Sequence, residues 1–107
     1  MKENVLLNKS KLLALRIIRL YQYLCEEKKE FVLSKQVLRS GTSIGANIRE
    51  ANRSQSIKEF IAKLNISLKE TDETLYWLEL LHESNYIETE PYNSIYADTE
   101  EILKLLV

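Results

Sequence analysis

Few side chains in this 107-residue sequence are arranged for chemistry. Glu79-Leu-Leu-His82 has the Glu-x-x-His spacing that sets two metal ligands on one helical face, an element that di-iron bundles use twice. His82 is the sole histidine, so no second copy can be assembled, and a core or interface histidine is the better reading. Cys25, the sole cysteine, has no base near it in sequence to generate a thiolate, and no Cys/His set has zinc spacing. Phosphate-cradling and dinucleotide glycine patterns are missing as well. Glu70, Asp72, Glu73, Glu79 and Glu83 share a helix face, but a hard cation would want loop carbonyls beside them. The expectation is a non-enzymatic protein without cofactor or metal. A ligand or metal site made from Glu79 and His82 is the weakest functional reading.

The basic residues offer more. Residues 1–69 hold 14 Lys/Arg against 6 Asp/Glu, whereas residues 70–107 hold Lys104 alone against 10 acidic residues. A net charge of −1 therefore conceals a +8 half and a −9 half. The halves can neutralise each other across a bundle, or the basic half can meet a polyanion while the acidic end faces a partner. Lys9, Arg16 and Arg19 flank the first apolar stripe with Tyr23 beside them. Lys35, Arg39 and Arg53 cluster on the second helix with Arg49 in reach. Cations next to an aromatic can hold a phosphate backbone and stack on a base, although a solvated helix face is the commoner origin of such a pattern.

Positioning these residues falls to four amphipathic helices. The first is expected from about Asn8 or Ser10 to Lys28, with Leu13, Ile17, Leu20 and Leu24 as its core stripe. A charged linker, Glu26 to Glu30, leads to a second helix over roughly Leu33 to Ser54. That helix contains both glycines, Gly41 and Gly45. Each costs a helix about 1 kcal/mol relative to alanine, so a close approach of another backbone is expected there. Ser56-Ile-Lys-Glu59 has the form of a capping box and starts the third helix, about Ile57 to Glu83. Its stripe of Ile57, Ile61, Leu64, Leu68, Thr71, Leu75, Leu78 and His82 is expected to face inward. Ile66, Trp77 and Leu80 lie on a second face, which predicts self-association through them. Ser84-Asn85-Tyr86 ends the helix. Thr89 is expected to cap a fourth helix, with Tyr92, Ile95, Thr99, Ile102 and Leu106 inward.

The fold class is therefore all-α, a single antiparallel up-and-down four-helix bundle over residues 1–107. No run of about 18 apolar residues supports a membrane span, and the apolar runs at the N-terminus are too broken for a signal peptide. The lone cysteine fits a reducing, cytoplasmic setting.

The stretch Leu38-Arg-Ser-Gly-Thr-Ser-Ile-Gly-Ala-Asn-Ile-Arg-Glu-Ala51 resembles the signature second helix of the bundle proteins encoded in intervening sequences of bacterial 23S rRNA genes. Phe60 to Leu78 is similar to that family's third helix, and Tyr86-Ile87 to its short step before the last helix. The resemblance covers roughly residues 10–107. Alanine or proline often stands in the family where this chain has Gly41 and Gly45, and the last helix of the family often runs further. The resemblance implies a ring-like homopentamer. A similar protein, the accessory variability determinant of diversity-generating retroelements, is a pentamer that binds a reverse transcriptase and nucleic acid. By that likeness Lys9, Arg16, Arg19, Lys35, Arg39, Arg49 and Arg53 would repeat around a ring and hold RNA or DNA. The competing expectation is a scaffold for a protein partner, served by the acidic end and Trp77.

Overall fold

A computed structural model describes residues 2–107. It contains α1 (Lys2–Glu26), α2 (Leu33–Asn52), α3 (Ile57–Glu83) and α4 (Thr89–Leu106), with no strand among the described residues. Each helix packs on its neighbours in sequence, and α1 closes on α4, making an up-and-down bundle of 44 × 22 × 18 Å. Leu13, Ile17, Leu24, Val37, Ile44, Ile48, Leu78 and Ile102 form the dry centre, each at most 1% exposed. The α1–α4 contact is the thinnest of the four interfaces.

Local chemistry explains most helix ends. Ser56 Oγ accepts from the backbone N–H of Glu59 at 3.1 Å, so the serine half of the capping box forms at the start of α3. The other end of α3 closes at Asn85, whose φ is 68°. There Tyr86 N–H donates to the Leu81 carbonyl and Asn85 N–H to that of His82, a Schellman pairing that seats Ile87 in the core. Glu30, read from sequence as linker, instead serves the start of α2 from two residues before its N-cap position, Val32. Its buried carboxylate accepts from the backbone N–H groups of Val32, Leu33 and Ser34 at 3.2, 2.9 and 2.7 Å. A carboxylate at the positive end of a helix satisfies donors that would otherwise be stranded.

Three expectations need correction. α1 begins at Lys2 rather than near Asn8, because Leu6 is itself a core residue at 5% exposure. Thr89 does not cap α4. Glu88 holds the cap position without a side-chain bond, and Thr89 Oγ1 pairs with His82 Nε2 at 3.2 Å. Ile57 and Ile61 do not face inward. They are 79% and 52% exposed, because α4 spans about 27 Å beside an α3 of about 40 Å and leaves the first turns of α3 uncovered.

The glycines of α2 face α1. A Cβ on Gly41 would sit 2.8 and 2.9 Å from the two γ carbons of buried Ile17. One on Gly45 would lie 3.1 Å from Ser10 Oγ. On its opposite side α2 meets α3 through small polar residues: Ser67 Oγ donates to the Ile44 carbonyl at 2.5 Å and Thr74 Oγ1 to Ser40 Oγ at 2.8 Å. Each of these hydroxyls finds a partner, so the seam can be both polar and dry.

Candidate nucleic-acid interface

Ala14 of α1 and Gly45 and Ala46 of α2 are too small to fill the outer seam between the two helices. A groove of about 1130 Å³ runs there. Lys11 enters it from α1, Arg49 and Arg53 from the end of α2, and Lys63 from α3, with the amides of Asn8 and Asn52 beside them. Two carboxylates, Glu50 and Glu59, also line it. Lys63 Nζ contacts Glu50 at 2.8 Å, and that hydrogen bond holds the lysine above its ordinary pKa, so it stays charged. Arg49 lies in the last turn of α2 and Arg53 at its C-cap, and both are exposed. Neither forms an ion pair with another described residue. Such a groove can take a chain of phosphates lengthwise.

The seven basic residues singled out by sequence do not make one surface. Lys9 is paired with Glu101 at 3.1 Å, and Arg16 with Asp98 at 2.5 Å and Ser94 Oγ at 3.0 Å, both across the α1–α4 seam. Arg39 is held between Glu70 and Glu73 of α3. The +8 and −9 halves thus neutralise each other in part, through side chains on adjacent helices. Lys35, Arg49 and Arg53 remain outward on α2, and Arg19 lies beside α4, outside the groove. Lys11 and Lys63 were missed from sequence. Their signal is positional, since Lys11 shares a flank of α1 with Leu7 and Ala14, the side that turns towards α2.

The second face of α3 is also more divided than its sequence suggests. Ile66 is 42% exposed, but Trp77 and Leu80 are half-buried. Trp77 packs against the core and donates from Nε1 to Glu73 Oε2 at 2.9 Å. Tyr76, which sequence reasoning passed over, is 54% exposed beside it. The acidic residues of α3 do not share one face, since some turn to α2 and others to α4, and most of them are spent on structure. Glu70 and Glu73 hold Arg39, and Glu79 accepts from Tyr96 Oη at 3.0 Å. His82 stacks flat on Tyr92 at 4.1 Å, as an interface histidine within the bundle. Among the described residues no group of three or more His, Cys, Asp or Glu converges to hold a metal. No described helix is long and apolar enough to cross a membrane.

Residues 2–107 match the model of the family described as 23S rRNA-intervening sequence protein. A crystal structure of a protein of unknown function from the S23 ribosomal protein family of Bacteroides thetaiotaomicron is 61% identical to this chain. The likeness covers 99% of this chain and 95% of that one, with a TM-score of 0.98. No curated protein matches the sequence.

Proposed function

The chain belongs to the 23S rRNA-intervening sequence protein family, and on that premise we propose that it is a non-enzymatic, oligomeric bundle that binds nucleic acid, RNA above all, through the α1–α2 groove. The observation that carries this reading is the small-residue floor at Ala14, Gly45 and Ala46 under a rim of Lys11, Arg49, Arg53 and Lys63. A phosphate backbone laid in the groove displaces condensed counterions, which supplies affinity without sequence readout. Lys35, further along the exposed face of α2, extends the track. In the ring-like homopentamer that the family resemblance implies, the same weak track recurs on every subunit, and avidity multiplies contacts that are individually modest. The cytoplasm is the compartment in which such a protein would meet RNA.

The test is binding of the purified protein to structured RNA and to duplex DNA over a salt series. Three or four phosphate contacts per bound subunit give a log–log slope near about −3 on duplex. The double variant Arg49→Glu, Arg53→Glu is expected to abolish binding. Arg39→Glu removes a residue committed to α3, so it should act mainly on stability. Absence of binding at low salt would leave the charge asymmetry as an internal matter and favour the scaffold for a protein partner.

A further inference from the structure

On the other side of α1 lies a cleft that the nucleic-acid reading does not use. It opens between α1 and the first half of α4, where those helices pack least closely, and the α3–α4 connection closes one end. We propose that this cleft is a binding site for a small aromatic monocarboxylate.

Its volume is about 390 Å³, at the lower end of the range of roughly 300–1,000 Å³ typical of small-molecule sites, which bundles commonly place between helices. The floor is apolar. Leu20 comes from α1, Ile87 from the connection, and Pro91 and Ile95 from α4. Tyr23 stands in the wall, a large aromatic side chain that is 37% exposed. A tyrosine ring and a proline ring offer flat surfaces, against which a planar aromatic buries more area than a branched chain would.

The charges at the cleft choose among aromatic ligands. Arg16 is spent, anchored by Asp98 and Ser94. Arg19, one turn along the same face, forms no ion pair with another described residue and leaves its guanidinium to a carboxylate, which it can grip through two parallel hydrogen bonds. Glu88, exposed on the opposite wall, sets the upper limit on charge. One carboxylate directed to Arg19 tolerates it, whereas a nucleotide or any polyanion meets repulsion there. The cleft therefore asks for an apolar ring, one negative charge and nothing longer.

The test uses the full chain, labelled with nitrogen-15 and titrated with 1-naphthylacetate while amide shifts are followed. Saturable shifts are expected at residues 16–23 and 87–95, with the rest of the spectrum unmoved. Losing a charge-assisted hydrogen bond should weaken binding about tenfold or more in Arg19→Gln. Glu88→Gln should tighten it about twofold, as expected for removing an exposed like charge. The neutral 1-naphthylethanol should bind about tenfold more weakly than the acid. Both substituted positions are exposed, and an otherwise unchanged spectrum reports that each variant is folded. Shifts that fail to saturate or lie elsewhere would overturn the assignment, as would Arg19→Gln binding like the parent or the alcohol matching the acid.

Discussion

Gly41 and Gly45 look alike in sequence and differ in what they face. At Gly41 a methyl group would press on both γ carbons of Ile17, a β-branched residue with no exposed surface and no free rotamer to retreat to. At Gly45 it would meet the hydroxyl of Ser10, which is itself held only by a 3.2 Å bond to the Leu7 carbonyl. Alanine gains about 1 kcal/mol in helix propensity at either site, whereas overpacking a fixed core costs about 1–3 kcal/mol. Gly41→Ala is thus expected to destabilise the bundle and Gly45→Ala to leave it nearly unchanged, as read from urea midpoints at constant m-value. Ile17→Ala should cost less in the Gly41→Ala background than in the parent, because the cavity receives the new methyl. Equal midpoints for the two alanine variants would place the tight contact elsewhere. That a close approach was needed could be read from two glycines inside a helical stripe. That a side chain makes it depends on the rotation of α1, which no local pattern records.

The pairing of α3 with α4 carries a pH sensitivity on the alkaline side. Tyr96 is pushed up to about 12, first by burial and then by its hydrogen bond to Glu79. Tyr92 moves in the same direction, again through burial first and then Glu79 and Glu83. Between the ordinary value of 10.0 and about 12 the unfolded chain has released a proton that the folded chain keeps. This contribution is whole below the lower value and is lost as pH climbs towards the upper one. Tyr96→Phe is expected to cost about 0.5–1.5 kcal/mol near neutrality and to flatten the decline above about pH 10. Urea unfolding of parent and variant on either side of that pH checks both signs, and an identical alkaline decline would remove Tyr96 as its source. These contacts also mark where sequence reading stopped. Both bounds of α3 were legible, because Ser56, Glu59 and Asn85 cap it by local bonds. The start of α1 and the cap of α4 were not, because Leu6 is held by the core and Thr89 is drawn to His82 across a turn. The candidate groove was half legible. Arg49 and Arg53 stand four residues apart at one helix end, whereas the capture of Lys9, Arg16 and Arg39 by acidic neighbours depends on the register between helices.

At the scale of the molecule, the ion pairs that tie the halves together leave a shell with two apolar regions exposed. One runs along the outer side of α1 through Leu12 and Leu15, at 63% and 42%. The other is spread over α3, with Ile57 and Ile61 on one side, Ile66 on the second face and Tyr76 between them. Isolated exposed apolar residues need no partner, but this many on a narrow bundle favour assembly, which the proposed repetition of the basic groove also requires. Trp77→Glu would be a poor test, because it removes the bond to Glu73 and places a charge against the core, so lost assembly and lost folding would look the same. Ile61→Glu with Ile66→Glu changes only exposed positions. Each isoleucine buried at a contact contributes about 1.5–3 kcal/mol, so replacing two with charges should shift association by several orders of magnitude. Sedimentation of the double variant is expected to give particles smaller than the parent with helix content unchanged. A parent mass retained by that variant and lost in Leu12→Glu would move the contact to α1, and a parent already monomeric would remove multivalency from the nucleic-acid proposal.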